Sequence, residues 1–141
     1  SARGLDWARH NVERLGAADR HELVCEEALS YLKNLKDRPD IMVVDPPAFA
    51  KNVHKRHKAV QAYKRLNALA LKKLAPDGLL FTFSCSEVVS PQLFLDTLVA
   101  AALEAGREVQ ILHRLGQPAD HPVSLFHPEG NYLKGLVLRV L

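Results

Sequence analysis

The chain has 141 residues, 48% of them hydrophobic and 25% charged, and its formal net charge is +3 at pH 7. This length supports one ordinary domain with a hydrophobic core. No apolar run reaches the length of a membrane span, and the first residues lack a signal-peptide pattern, so we expect a soluble, cytoplasmic protein with no membrane partner. The mild positive charge permits a polyanionic partner but does not require one.

The first half of the chain predicts helices that alternate with short strands. Residues 3–15 carry apolar side chains at helical spacing, and residues 21–25 (HELVC) are a short strand candidate. Glu26 and Glu27 open the next helix, because acidic side chains favour the positive end of the helix dipole. The run 41–44 (IMVV) predicts a strand buried on both faces, since it is rich in β-branched residues and lacks polar alternation.

The second half continues this alternation and ends in two consecutive strands. Its predicted elements are a helix over 59–75, a strand over 79–86, a helix that starts at Pro91 with Ser90 as N-cap, and strands over 108–115 and 132–141. The pattern indicates an α/β fold with a mostly parallel sheet that ends in an antiparallel hairpin.

An acid and two prolines follow strand 41–44. Asp45 stands where the strand ends, and Pro46 and Pro47 lack a backbone N–H and turn the chain away from the sheet. A carboxylate at the carboxyl end of a parallel strand lies in the crevice where open α/β sheets bind ligands. The alternative is an ordinary turn that begins with aspartate, and these residues alone do not separate the two.

A cysteine follows the second buried strand in the same way. If strands 41–44 and 79–84 are parallel neighbours, Cys85 and Asp45 emerge side by side at one edge of the sheet. Cysteine is the side chain most easily activated as a nucleophile near neutral pH. The alternative, an inert buried thiol, is favoured by position alone. Cys25, which follows a strand candidate directly, is predicted to be a packing residue.

A basic loop, residues 51–58 (KNVHKRHK), follows the two prolines. It is a candidate for contacts with phosphates beside the crevice, and a solvated surface loop is the alternative. Tyr63, Lys64 and Asn67 lie one turn apart on the next helix. They either face the same crevice or occupy ordinary surface and boundary positions.

No metal or phosphate motif accompanies these residues. His54 and His57 stand among lysines, and the histidines form no pair with carboxylate support, so we expect no metal site. The sequence contains no GxGxxG, GxxxxGK[ST] or GxSxG pattern. Glu26 and Glu27 are candidates for hydrogen bonds to a nucleotide-like ligand, or they serve only as charges at a helix N-terminus.

Three segments together carry a specific family resemblance: VVDPPAFAKN, YKRLNALALKKLAPDGLLFTFSCS and DHPVSLFHPEGNYLKGLVLRVL. They resemble the carboxyl-terminal part of the RlmI-type large-subunit ribosomal RNA (cytosine-C5) methyltransferase family, in the same order and spacing over residues 1–141. The resemblance implies a Rossmann-like class I methyltransferase fold, S-adenosyl-L-methionine as cofactor and ribosomal RNA as substrate.

The resemblance also implies roles for individual residues. Cys85 corresponds to the nucleophilic cysteine of the family. Asp45, with Pro46 and Pro47, corresponds to the strand-end motif, where the acid lies beside the methyl donor and the target base. In this interpretation Cys85 and Asp45 are catalytic, and the Asp45–Pro47 segment also contributes to cofactor binding.

Other positions match the family more loosely. Glu27, with Glu26 beside it, matches the acidic position near the cofactor adenine. The segments 120–122 and 129–134 match a closing hairpin that shapes the site. Independently of the resemblance, the basic loop and the helix after it supply the side chains predicted to contact substrate RNA, which are Lys51, Lys55, Arg56 and Lys64.

The chain departs from the family pattern in one respect. The family's first strands, its glycine-rich turn and its ribose-binding acid have no counterpart in this sequence, so the resemblance implies an incomplete catalytic domain and a piece of a longer enzyme. We therefore expect weak or no cofactor binding by this chain alone. We also expect open sheet edges that favour a homodimer.

Two other functions stay open. The sibling guanine-N7 methyltransferases have the same fold and a similar motif but need no thiol, so Cys85 within SCS favours the cytosine enzymes. A catalytically inactive RNA-binding or assembly module is favoured by the missing glycine-rich turn and disfavoured by the presence of both Asp45 and Cys85.

Overall fold

The computed structural model describes residues 2–50 and 52–141. The chain divides into two compact units, with the boundary after Tyr31. The helices are α1 (Ala2–Arg14), α2 (Ala28–Asn34), α3 (Arg56–Lys73) and α4 (Pro91–Ala105), and the strands are β1 (Ile41–Val44), β2 (Leu79–Ser84), β3 (Val109–Leu115) and β4 (Lys134–Val140). Short 3₁₀ helices lie at Ala18–Arg20, Val53–Lys55 and Pro128–Gly130. Across the described residues, no helix is long and apolar enough to cross a membrane.

Within the described residues the strands form one sheet in the order β1-β2-β4-β3. β1 and β2 are parallel, whereas β4 is antiparallel to both β2 and β3. The α/β class and the closing antiparallel pair of strands are therefore confirmed. The sheet is mixed rather than mostly parallel, because only the β1–β2 pair runs in the same direction.

The strand predicted over residues 21–25 is not formed, and this segment has no regular secondary structure. A short strand is stable only where neighbouring strands pair its backbone N–H and C=O groups. The strands that the structure describes all lie after residue 40. Cys25 is exposed, so the prediction that it is a packing residue is wrong.

The core of the second unit lies where α3 packs on β1, β2 and α4. One side of α3 is buried, with Leu66 5% exposed and Leu71 fully buried. Phe94 and Leu98 of α4 are buried as well. Burying one leucine or phenylalanine side chain contributes about 1.5–3 kcal/mol, so this interface holds the helices on one side of the sheet.

β1 is covered on one face only. Val44 is buried, but Ile41 and Val43 are 60% and 64% exposed. Alternate residues of a strand point to opposite faces, so the helices that cover Val44 leave Ile41 and Val43 open. The prediction of a strand buried on both faces is therefore wrong. A continuous apolar run does not reveal which face of the strand the helices cover, or that β1 lies at one edge of the sheet.

Both ends of α4 follow from local sequence. The Ser90 hydroxyl accepts a hydrogen bond from the backbone N–H of Leu93 at 3.2 Å, which confirms the predicted N-cap. Pro91 occupies the first turn, where its missing N–H costs no helical hydrogen bond. Gly106 ends the helix with a φ of 65°, a conformation that glycine adopts without strain.

Candidate active site

The carboxyl ends of β1 and β2 meet at one edge of the sheet. The two strands are parallel, with Val44 paired to Thr82, so Asp45 and Cys85 both leave the sheet at this edge. The expected parallel pairing of these strands is confirmed. Asp45 is exposed and Cys85 is half-buried, so both side chains lie at a boundary between the core and solvent.

Two contacts hold the loops after β1 and β2 together. The Cys85 thiol lies 3.8 Å from the carbonyl oxygen of Pro46, within range of a sulfur hydrogen bond. One residue further, the Ser86 hydroxyl donates to the carbonyl oxygen of Ala50 at 2.9 Å. Because Ser86 is buried, this second contact fixes the path of the SCS segment against the segment that follows the two prolines.

A lysine from β4 contacts the same loop. The Lys134 ammonium donates to the carbonyl oxygen of Ser86 at 2.6 Å and is half-buried. Burial lowers the pKa of Lys134, and negative charge at Cys85 and Glu87 opposes that change. The family resemblance implies only a shaping role for this region, and the available signal in the sequence is a lysine at the start of a mainly apolar strand.

A buried tyrosine lies behind the thiol. Tyr63 is fully buried and packs edge-on against Phe49, with ring centroids 4.7 Å apart. Within the described residues its phenol oxygen has no hydrogen-bond partner. Burial raises the pKa of Tyr63, and negative charges at Cys85 and Asp45 add to this rise. Ser84 and the Phe49 backbone lie near the phenol and offset part of the rise, without hydrogen-bond geometry.

Asn67 anchors α3 to β2 by a buried hydrogen-bond chain. Its side-chain amide donates to the carbonyl oxygen of Tyr63 at 2.9 Å and accepts from the Thr82 hydroxyl at 2.6 Å. Asn67 and Thr82 are both fully buried. Of the three helix residues considered for the crevice, Tyr63 and Asn67 are therefore interior residues, and Asn67 has a structural role.

The chain is similar in sequence to known proteins and in fold to solved structures. No protein-family model matches it. A ribosomal RNA large subunit methyltransferase I from Shewanella amazonensis is 42% identical over 144 residues, which cover 99% of this chain and 36% of the relative. The protein of the same name from Klebsiella pneumoniae is 41% identical over 145 residues, covering 100% of this chain and 36% of the relative.

The resemblance to the RlmI-type family is confirmed. The matched segment is the carboxyl-terminal part of those relatives, and the chain spans about a third of their length (36%). Among solved structures, a methyltransferase homologue from Pyrococcus horikoshii has a TM-score of 0.67 at 20% identity, covering 100% of this chain and 51% of that chain. A protein from Streptococcus mutans, assigned as a SAM-dependent methyltransferase, has a TM-score of 0.69 at 22% identity, covering 85% and 31%. These neighbours confirm the class I methyltransferase fold.

The basic residues predicted to contact substrate RNA differ in their surroundings. Lys55 and Arg56 are exposed at the start of α3, the helix that follows Asp45 along the chain. Lys64 forms an ion pair with Glu104 of α4 at 2.8 Å, and this contact lowers the pKa of Glu104. Lys51 lies outside the described residues.

The acidic pair of the RlmI-type pattern lies in the first unit. Glu26 and Glu27 are exposed, and the Glu27 carboxylate accepts a hydrogen bond from the backbone N–H of Ser30 at 2.9 Å. This contact caps the first turn of α2, which is the simpler of the two roles considered for Glu27. In the part of the chain that the structure describes, no group of three or more His, Cys, Asp or Glu side chains could hold a metal ion.

Proposed function

We propose that the protein containing this chain is an S-adenosylmethionine-dependent methyltransferase that modifies C5 of a cytosine in large-subunit ribosomal RNA. Residues 1–141 then form the carboxyl-terminal portion of its catalytic domain. The observation that carries the proposal is the thiol of Cys85 at the carboxyl end of β2, 3.8 Å from the carbonyl oxygen of Pro46. The 41–42% identity to ribosomal RNA large subunit methyltransferases I supports the substrate class.

The residues of this chain fit part of the cofactor's requirements. Asp45, Pro46 and Pro47 line the strand-end edge where ligands of α/β sheets bind, and Glu26 and Glu27 are the candidates for the adenine side. The seven glycines of the chain are scattered and form no turn that would hold the methionine carboxylate. Bound beside this edge, S-adenosylmethionine would supply an electrophilic methyl group.

Cys85 has the chemistry that cytosine C5 requires. C5 of cytosine is a poor nucleophile, and addition of the Cys85 sulfur to C6 raises the electron density at C5. After C5 has been methylated, loss of the C5 proton to a base restores the C5–C6 double bond and breaks the sulfur–C6 bond. Asp45 orients the target base through its ring nitrogen. The base must leave its stack to reach both side chains.

The thiol also weighs against the alternatives. A guanine-N7 methyltransferase has no use for a nucleophilic sulfur at this edge, because N7 is itself nucleophilic. A non-catalytic RNA-binding or assembly module has no use for Cys85 or Asp45, although the absence of a glycine-rich turn in this chain favours it. The proposed cytosine methyltransferase differs from both alternatives because it forms a covalent bond to cytosine.

Ribosomal RNA is the proposed partner, and the cytoplasm is the compartment that this partner implies. Lys51, Lys55, Arg56 and Lys64 are the candidates for phosphate contacts near the site. Lys64 would have to exchange its ion pair with Glu104 for such a contact. A second copy of the chain is a further proposed partner, through the exposed β1 edge of the sheet.

The decisive experiment uses the full-length protein and an RNA in which the target cytosine carries fluorine at C5. Because fluorine cannot leave as the C5 proton does, the adduct with Cys85 should persist on a denaturing gel. Cys85→Ala should abolish both this adduct and methyl transfer while leaving cofactor binding nearly unchanged. Cys25→Ala, which removes an exposed thiol in the first unit, is the matched control. Methyl transfer near the parental rate in Cys85→Ala would remove the nucleophile assignment.

A further inference from the structure

A lysine of the neighbouring strand reaches across the segment that carries Cys85. Lys134 is the first residue of β4 and pairs with Ser84, the last residue of β2. Its ammonium donates to the carbonyl oxygen of Ser86 at 2.6 Å. Lys134 therefore spans Cys85: its backbone is paired with Ser84, and its ammonium contacts the carbonyl oxygen of Ser86.

The position of Lys134 is fixed by close packing of β4 on β2. The next residue, Gly135, pairs with Phe83, and a Cβ at position 135 would lie 2.6 Å from Cε1 of the Phe83 ring. That distance is shorter than any ordinary carbon–carbon contact, so a side chain here would separate the strands. Glycine lets β4 approach β2 closely and keeps Lys134 beside the SCS segment.

The charge of Lys134 has no carboxylate partner among residues 2–50 and 52–141, where its Nζ enters none of the ion pairs within 4.0 Å. An ammonium has three N–H donors, and the contact with Ser86 uses one of them. A half-buried cation without a direct ion pair is unfavourable, because burial removes the water that would otherwise solvate its charge, and the negative charges that oppose this effect are those at Cys85 and Glu87. The surroundings of Lys134 therefore favour a negative charge nearby.

We propose that Lys134 is a positioning residue for Cys85, and that its ammonium stabilises the sulfur as the thiolate. This inference rests on the proposed function, in which that thiolate is the nucleophile. Among the described residues, Tyr63 on α3 and Lys134 on β4 interact electrostatically with the thiol, Asp45 acts on Tyr63 as well, and Glu87 acts on Lys134 as well. In this described set Lys134 is the cation, and its charge opposes the carboxylates of Asp45 and Glu87.

The test measures the rate at which iodoacetamide alkylates Cys85 as a function of pH. It uses the 141-residue chain with Cys25→Ser, in which Cys85 is the remaining thiol. Lys134→Gln removes the charge but keeps a donor that can reach the Ser86 carbonyl. Lys134→Arg keeps the charge. Lys72→Gln, at an exposed position in the last turn of α3, is the matched control for removing one positive charge elsewhere.

Lys134→Gln should slow alkylation at neutral pH about five- to tenfold and move the rise of the rate to higher pH, because only the thiolate reacts. Lys134→Arg should stay within about twofold of the parent chain, and Lys72→Gln should follow the parent profile. Circular dichroism of each variant establishes that it is folded. If Lys134→Gln does not fold, Lys134→Met against Lys134→Arg makes the same comparison.

An unchanged alkylation profile in a folded Lys134→Gln chain would overturn the inference. If the alkylation profile is unchanged and the full-length Lys134→Gln variant binds RNA more weakly and with less salt dependence, Lys134 contacts a phosphate instead. Alkylation needs neither cofactor nor RNA. A failure of the proposed function, seen as methylation without Cys85, is therefore distinguishable from a failure of this inference.

Discussion

The sulfur of Cys85 lies 3.8 Å from the carbonyl oxygen of Pro46, although 39 positions separate the two residues along the chain. Parallel pairing of β1 with β2 brings their carboxyl ends to the same edge, and the Ser86–Ala50 hydrogen bond fixes the two loops at a second point. The SCS segment is thus held against the loop after β1 at two points, the Cys85 sulfur and the Ser86 hydroxyl. Such support is what a nucleophile needs to meet its target in a fixed orientation.

The first prediction concerns cofactor binding by the 141-residue chain. Its seven scattered glycines provide no turn of backbone donors for the methionine carboxylate, so we expect S-adenosylmethionine to bind more weakly than about 100 μM, or without detectable heat. Isothermal titration calorimetry measures this directly, with the full-length protein as the positive control. A micromolar dissociation constant for the 141-residue chain would contradict the prediction.

The second prediction concerns the buried hydrogen-bond chain of Asn67. Asn67→Ala should lower the free energy of unfolding by about 2–3 kcal/mol, because it leaves the Thr82 hydroxyl buried without its acceptor and creates a small cavity. Urea unfolding followed by circular dichroism measures the change. Gln92→Ala, which removes an exposed hydrogen bond to Asp96, should change stability by no more than about 0.5 kcal/mol.

A double variant separates the two causes of that loss. Thr82→Val in the Asn67→Ala background removes the hydroxyl that would otherwise stay unpaired, so part of the lost stability should return. If the double variant is less stable than Asn67→Ala alone, the unpaired hydroxyl is not the source of the destabilisation.

Local signals in the sequence were sufficient for several elements. The run Ile41–Val44 gave the bounds of β1, and Ser90 with Pro91 gave the start of α4, because each depends on neighbouring residues only. The juxtaposition of Cys85 with the Asp45–Pro47 segment needed one assumption beyond local sequence, that β1 and β2 are parallel neighbours. That assumption is confirmed by the strand register.

Features that depend on distant partners were not predictable from local sequence. Residues 21–25 have the composition of a strand but have no regular secondary structure. The exposure of Val43 depends on which face of the sheet α3 covers, and the path of Lys134 over Ser86 depends on the β2–β4 register. Nothing in the spacing of α3 indicates that the phenol of Tyr63 lacks a hydrogen-bond partner.

The third prediction concerns self-association through the edge of the sheet. Val43 is 64% exposed on β1, one of the two edge strands of the described sheet, and an uncharged edge favours pairing with a second copy. Sedimentation velocity should detect a dimer at high protein concentration, and Val43→Lys should shift it to monomer. Leu103→Lys on α4, at a position 78% exposed and away from the sheet edge, should leave the dimer intact. A parent chain that stays monomeric at high concentration rules the edge dimer out.

The final prediction concerns the alkaline limit of stability. Burial raises the pKa of Tyr63 above its usual 10.0, so above pH 10.0 the unfolded chain loses the phenolic proton before the folded chain does. Stability should therefore fall as pH rises from 10.0 toward the folded-state pKa, by up to about 1.4 kcal/mol per pH unit from this group. Tyr63→Phe should remove this fall and change stability little at pH 7, because the phenol forms no hydrogen bond within the described part of the chain. Urea unfolding at pH 7 and at a pH above 10.0 measures the effect. Tyr132→Phe, at a position 41% exposed, should keep the parental dependence of stability on pH. An alkaline fall that persists undiminished in Tyr63→Phe would assign it to other groups.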